Sequence, residues 1–479
     1  MRVLLVNPIV RTVVPPADYP YGLTLIAAIL EKHDIEFDVL DINGYRYSDK
    51  QVLDFLNENS YDIIGIGGII TTYSYIKWFV NKARAIMPKA KIVVGGPVVT
   101  CKPEFMVRHL KADLIVVGEG EETFVEVIKN FDFEHKNHGK PFSGAAYLDA
   151  NGKFIFQPRS PMKDLDILPL PAWHRFPMET YTTNSVYSRK AGFDLKRGVK
   201  IYTSRGCPMN CSFCYHTFGR GIRVRKLENV IEEIKILKKI YSPQFVFFMD
   251  EAFSFNRNRV MEFCDLYAKS GIDLPFRLYG RLDTVDEEMA SVLAKTGCLE
   301  YGFGVESGSV KILKNMNKSI TPKKMEQSIG MLRKHDLVGA ATFIHGMVGE
   351  NEATVNESLA FYKRAGFKNV SPLFIQPYPG APMWTPEVEA KILKRYKSIE
   401  NYFLDMDEAM NFVVNLSEVS NRKLFALRRK IVFETSGIDK TAYNYKKFLG
   451  KVKTVRNNGI FWAVKRLLKV PDRKRRQLN

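Results

Sequence analysis

Three cysteines lie within eight residues, in Ser204-Arg-Gly-Cys207-Pro-Met-Asn-Cys211-Ser-Phe-Cys214-Tyr215. The spacing is Cys-x3-Cys-x2-Cys. Thiolates are the protein ligands of iron–sulfur clusters. Three on one short loop can wrap a single cuboidal 4Fe–4S cluster and leave its fourth iron open to another ligand. A structural zinc site is the competing reading, but zinc takes four ligands, and His216 is the only local candidate for the fourth. Three merely structural cysteines are the remaining alternative. Cys101, Cys264 and Cys298 are scattered among apolar residues and read as small buried hydrophobes. In a long chain this usage points to metal or catalysis rather than to a disulfide framework.

The chain has 479 residues, enough for two or three domains, and 46% of them are hydrophobic, which suits large cores. No apolar run reaches the roughly 18–20 residues of a membrane span. The opening Met1-Arg-Val-Leu-Leu-Val-Asn-Pro8 reads as a first strand and not as an export signal, so the expected compartment is the cytoplasm. The net charge is +19, and twelve Lys or Arg against one acid, Asp472, fall after Thr441. Such a basic end suits a polyanion or an anionic membrane. Within it, Gly459–Val470 is amphipathic, with Phe461 and Trp462 on one side and Lys465, Arg466 and Lys469 on the other. It reads either as a peripheral membrane helix or, more plainly, as a docking helix followed by a solvated charge run, Arg473–Arg476.

The elements that must position the cysteines alternate strand and helix. Val3–Val6, Phe37–Asp41, Ile63–Ile66, Ile92–Val94 and Leu114–Val117 are short apolar runs, several closed by glycines. Continuous Val/Ile runs, each followed by a helix, predict a parallel sheet buried on both faces. Ligands of such a sheet bind beyond the strand C-termini, where Gly67, Gly95, Gly96 and Gly118-Glu119-Gly120-Glu121 lie. The predicted fold class is α/β: a Rossmann-like domain over 1–140, a proline-punctuated linker over 141–197, a partial (β/α)6 TIM-type barrel over 198–385 and a small, mostly helical, basic C-terminal domain over 386–479. A hairpin is expected from 144–147 and 153–157 around Asn151-Gly152. The predicted barrel strands are Ile201–Thr203, Phe245–Met249, Phe276–Tyr279, Tyr301–Val305, Ala340–Ile344 and Val370–Gln376. Barrel chemistry sits at the strand C-termini, where Asp250, Glu251, Arg281, Glu306, His345 and Gln376 follow.

The cysteine spacing, with the aromatic Phe213 before the last cysteine, resembles the radical S-adenosylmethionine (SAM) superfamily over about residues 198–385. The resemblance implies that SAM chelates the open iron. Reductive cleavage of its sulfonium would give a 5′-deoxyadenosyl radical that abstracts hydrogen. It implies also that Asp250-Glu251 approach the SAM amino group, in a Met-Asp-Glu version of the usual Gly-Gly-Glu-like segment. Glu306, in Gly304-Val-Glu306-Ser307-Gly308, would face the ribose, and Arg281 would meet the carboxylate, which a bidentate guanidinium suits. A strand-end salt bridge is the plainer reading of Arg281, and similar structural readings stand beside Asp250, Glu251 and Glu306. An external one-electron donor of the flavodoxin or ferredoxin kind is implied as a partner.

Ahead of such a barrel, Val6-Asn7-Pro8, Gly65-x-Gly67, Val94-Gly95-Gly96-Pro97 and Val117-Gly118-Glu119-Gly120-Glu121-Glu122-Thr123-Phe124 resemble the cobalamin-binding domain of cobalamin-dependent radical SAM enzymes. No Asp-x-His-x-x-Gly motif is present, and Val98 stands where a histidine often follows the Gly-Gly-Pro turn. This fits cobalamin bound without a protein nitrogen on cobalt; a Rossmann-like domain without cofactor is the alternative. The implied reaction is methylation of an unactivated carbon of a small molecule or lipid. Ring formation, ring contraction, rearrangement or oxidation are the alternatives within the family. A non-catalytic membrane- or RNA-binding protein is the reading from another class. No recognisable RNA module is present, so no specific nucleic acid is expected.

Overall fold

The computed structural model describes residues 1–12, 14–187, 192–406 and 412–437. The basic end of the chain, including Gly459–Val470 and Arg473–Arg476, lies outside them. No helix among the described residues is long and apolar enough to cross a membrane.

Two sheets carry the molecule. The first contains β1 (Val3–Asn7), β2 (Phe37–Asp41), β3 (Ile63–Gly67), β4 (Lys91–Gly95), β5 (Leu114–Val116), β6 (Ala145–Leu148) and β7 (Phe154–Phe156), in the order β2-β1-β3-β4-β5-β6-β7. The first five are parallel, each pair in register, as Val3 opposite Phe37 and Ile63. Their side chains are buried on both faces, which is why these segments are continuous Val/Ile runs. The hairpin forms where Asn151-Gly152 predicts it, but it is not a free linker element: β6 pairs antiparallel with β5 and extends this sheet.

The second sheet holds β8 (Gly198–Ile201), β11 (Phe245–Phe248), β12 (Phe276–Gly280), β13 (Cys298–Glu306), β14 (Val338–His345) and β15 (Leu373–Phe374). All neighbours are parallel, in the order β15-β14-β13-β12-β11-β8. The two ends do not pair, so six strands make an open partial barrel. Between β8 and β11 a two-residue ladder joins β9 (Ser204–Arg205) to β10 (Arg223–Val224).

Two predicted strands are shorter than expected. The first barrel strand stops at Ile201, because the Thr203 amide donates to Asp250 Oδ1 at 2.6 Å instead of to a neighbour strand. The last keeps only Leu373–Phe374. The Asn369 and Val370 amides donate to the end of the helix Asn421–Thr435, at Thr435 O and Thr435 Oγ1, and Pro372 and Pro377 have no amide to give. The C-terminal helices Pro386–Tyr396, Ile399–Asp405 and Asn421–Thr435 build no core of their own. Ile392, Tyr402 and Phe403 join the same apolar cluster as Ile76, Phe79 and Met106 of the first half. There the Tyr73 hydroxyl donates to Glu400 Oε1 at 3.1 Å, and Lys77 pairs with the same carboxylate.

Candidate functional site

The cysteine loop is built by its neck. Asp250, 2% exposed, takes the Thr203 amide on Oδ1 and the Thr203 and Ser204 hydroxyls on Oδ2. Gly206, at φ +91°, follows β9, and a Cβ there would sit 2.0 Å from the Gly221 carbonyl oxygen. Only glycine fits this crossing of the two loop strands. The Cys214 amide donates to the Cys211 carbonyl at 3.2 Å, which curls the last two cysteines together. The loop is then wedged from outside: the Ser212 amide donates to Met316 O at 2.7 Å, and the Met383 amide donates to Ser212 O at 2.8 Å.

The three thiols are half-buried and free of disulfides. Burial raises all three, Cys214 to about 12. Such thiols give up their protons when a cation arrives, so metal binding and deprotonation are coupled. On one zinc ion, thiolates at about 2.3 Å from the metal would stand roughly 3.8 Å apart. The three sulfurs do not gather so closely. Among the described residues, the one group of three or more ligand atoms all within 4.8 Å of one another is Asp132, His135 and His138, elsewhere on the surface. Three half-buried thiols on one short loop match the three protein ligands of an open-site cluster.

Around the loop, the barrel strand ends supply charge. Glu251 stands at the open mouth, its carboxyl pushed up to about 7 by burial of the carboxylate and by neighbouring Asp250. Arg281 is held by Asp283 in a two-point pair, Nε and Nη2 at 2.9 and 2.7 Å, so the strand-end salt bridge of the plainer reading is present. Glu306 closes β13 at φ +63°, a left-handed conformation unusual for a side chain of this kind. Its Oε1 accepts from Lys318 Nζ at 3.1 Å, and the Thr342 hydroxyl lies 3.1 Å from both of its oxygens. Lys318 was not visible from sequence spacing. Its signal is Gly304, where a Cβ would lie 2.1 Å from Glu306 Oε1 and 2.7 Å from Lys318 Nζ. Phe213 packs with the apolar cluster beside the loop. His345 does not reach the site: it is 1% exposed, with Nδ1 2.7 Å from Glu350 and Nε2 3.0 Å from Leu424 O. Gln376 is likewise buried.

The glycine edge of the first sheet faces this loop. Gly67-Gly68 and Gly95-Gly96 stack backbone on backbone, with Gly68 N to Gly95 O at 3.4 Å and Val98 N to Gly68 O at 3.0 Å. Gly118, at φ +81°, has nothing within 4 Å of where a Cβ would be. It opens on a cavity of about 220 Å³ shared with Thr100, Arg159, His216 and Phe218. Gly120 begins the helix Glu121–Asn130. Glu119 and Glu121 line the same cavity and also grip the cysteine loop itself. Arg205 Nη1 donates to Glu119 at 2.9 Å and Nη2 to Glu121 at 2.5 Å, while Arg223 Nη1 reaches Glu119 at 2.8 Å. Burial alone would raise the Glu119 carboxyl, but the two arginines hold it below the ordinary range. Arg205 is 4% exposed and lies over the Phe218 ring at 5.3 Å. This buried bridge fixes the glycine edge against the residue two before Cys207.

The donor set fits both implied groups: three free thiols on one loop for a cluster, and an open glycine backbone beside a cavity at the edge of the first sheet. The B12 binding domain family model matches residues 8–128, and the Radical SAM superfamily model matches residues 201–362. An uncharacterised methyltransferase of Pyrococcus horikoshii is 29% identical over 84% of this chain and 87% of its own length. Cytidylyl-2-hydroxyethylphosphonate methyltransferase of Streptomyces wedmorensis is 26% identical over 79% of this chain and 80% of its own. Among solved structures, the radical SAM methyltransferase TsrM of Kitasatospora setae superposes with a TM-score of 0.68 at 19% identity, covering 92% of this chain and 90% of that one. Two sheets joined through a buried bridge, each matched by its own family model, place the chain among the radical SAM enzymes that carry a B12-binding domain, with a 4Fe–4S cluster, SAM and cobalamin as cofactors.

Proposed function

We propose that the protein methylates an unactivated carbon of a small molecule held between the glycine edge of the first sheet and the mouth of the barrel, working in the cytoplasm with an external one-electron donor. The observation that carries this reading is the buried Arg205–Glu119/Glu121 bridge, which sets the two cofactor edges face to face. When bound, the cluster and SAM supply hydrogen-atom abstraction, and cobalamin supplies a transferable methyl group. The chain's own part is to hold and orient. Cys207, Cys211 and Cys214 would hold the cluster. Glu251, Arg281 and the Glu306–Lys318 pair would line the SAM site, and Asp250 holds the neck of the loop. The segment 377–385 braces the loop from outside, the Met383 amide donating to Ser212 O. The likeness in name and length to two methyltransferases, and in fold to TsrM, whose structure was solved with cobalamin and a [4Fe–4S] cluster bound, supports the same reading.

The test is anaerobic reconstitution with iron, sulfide and hydroxocobalamin, followed by turnover with SAM carrying a deuterated methyl group over a panel of small molecules. Label in a product carbon is the expected result. Release of 5′-deoxyadenosine with an unlabelled, altered product would move the assignment to cyclisation, rearrangement or oxidation.

The Glu306–Lys318 pair gives a second expected outcome. In Gly304→Ala the new methyl collides with both ends of the pair. Iron content is expected to stay at the wild-type level, while SAM affinity measured by equilibrium dialysis falls about tenfold, or about 1.4 kcal/mol. Unchanged affinity would remove the pair from the SAM site.

A further inference from the structure

Asp132, His135 and His138 follow the helix Glu121–Asn130, and one ligand atom of each lies within 4.8 Å of the other two. The group sits at the strand-start edge of the first sheet, where Lys136 Nζ reaches Asp113, the residue before β5, at 3.5 Å. That edge is opposite the glycines, so these donors take no part in holding SAM or cobalamin. Phe131 and Phe133 flank Asp132 and pack edge to face at 4.8 Å, with Phe142 and Tyr147 also around Phe131. The backbone at Asp132 is thereby fixed. Its Oδ1 accepts the His135 amide at 3.0 Å. Its Oδ2 faces both rings, with His135 Nδ1 at 2.9 Å and His138 Nε2 at 3.2 Å. To bring the second ring round, Lys136, Asn137 and His138 take φ of +49°, +49° and +50° in succession, before Gly139 at +68°. Left-handed backbone is unfavourable for L-residues, and no residue of the turn Lys136–Gly139 is buried to offset it.

The spacing is that of ligands on one ion. Two donors each about 2.0–2.1 Å from a metal, at an angle of roughly 90–110°, stand about 2.9–3.4 Å apart. Both distances to Asp132 Oδ2 fall in that range. Two imidazoles and one carboxylate suit zinc and its first-row neighbours, whereas magnesium and calcium take oxygen ligands. We propose that Asp132, His135 and His138 bind one divalent transition ion of the zinc kind, with water completing its coordination. The role is structural. Metal–ligand bonds close the loop between Asp132 and His138 and hold the left-handed turn that nothing in the apolar core supports, because binding a metal stabilises the fold that presents its ligands.

The experiment dialyses tag-free, cluster-loaded protein anaerobically against zinc and, separately, against magnesium, and counts both metals per chain. The cluster absorbance is followed to show that the cysteines stay occupied. About one zinc per chain and no magnesium is the expected result. His135→Ala and His138→Ala are each expected to weaken zinc at least about tenfold, the least that losing even an outer partner of a metal costs. The two side chains are 65% and 62% exposed, so the variants are expected to fold, with unchanged far-ultraviolet circular dichroism. Zinc is expected to raise the thermal unfolding temperature of the wild type by mass action and to leave that of the double variant unmoved, while SAM cleavage is the same in both. Equal zinc affinity of the wild type and the double variant would overturn the site. Zinc bound through these residues without a thermal shift, or SAM cleavage lost in the double variant, would overturn the structural role.

Discussion

Replacing Arg205 by methionine is expected to lower the free energy of the first unfolding transition by about 3–5 kcal/mol, the range for removing one partner of a buried ion pair. Arg205 and Glu121 are 5% and 6% exposed in their side chains, and Glu119 is 12% exposed. Methionine fills the volume over Phe218 but strands Glu121 without a cation, while Glu119 keeps Arg223. The uncompensated carboxylate, not lost packing, is therefore the main cost. That assignment has its own check: adding Glu121→Gln to Arg205→Met removes the stranded charge and is expected to restore more than half of the loss in denaturant titrations. If the double variant is no better than the single one, the bridge acts through packing. Because Arg205 immediately precedes Gly206-Cys207, both variants are also expected to bind iron less firmly under chelator challenge.

Alanine at Cys207, Cys211 or Cys214 is expected to abolish function while leaving the fold. Each should take iron from about four atoms per chain to background, since an open-site cluster has no spare protein ligand. SAM cleavage should fall below detection. The thiols are half-buried on a loop whose shape is set by Asp250, Gly206 and the contacts to Met316 and Met383, so far-ultraviolet circular dichroism should not change. Cys264 and Cys298, buried in the apolar core, are the contrast: their alanine variants should keep iron and lose only a little stability. Iron retained in any single variant of the triad would point to a ligand outside it.

Much of this was legible in the chain. Five short apolar runs, three of them closed by glycine, pointed to a doubly covered parallel sheet, and the cysteine spacing announced its chemistry. What the reading missed was long-range pairing. Glu119 and Glu121 stood out as acids among glycines, but the arginines they hold lie 84 to 104 residues away, and no local spacing reports such a match. The family resemblance points Asp250 at a ligand, whereas its oxygens are taken by Thr203 and Ser204, 47 and 46 residues earlier. Lys318 was silent for the same reason, although Gly304 carried a steric trace of it. The short β15 could have been anticipated, since Pro372 and Pro377 bracket it and a strand cannot run through residues that lack an amide.

The helices Pro386–Tyr396 and Ile399–Asp405 come back to pack beside the helix Tyr73–Ile86, and the helix Asn421–Thr435 then returns to the barrel, so the chain passes between its two sheets three times. A pair of bodies joined by one tether can turn about any axis. A pair joined at three crossings and pinned by the buried Arg205–Glu119/Glu121 bridge has no such free hinge. Entry for something as large as a corrinoid then calls for breaking that bridge, or for loading before the last crossing is made during folding. Order of assembly, rather than affinity alone, becomes a determinant of how much of the protein carries its cofactor.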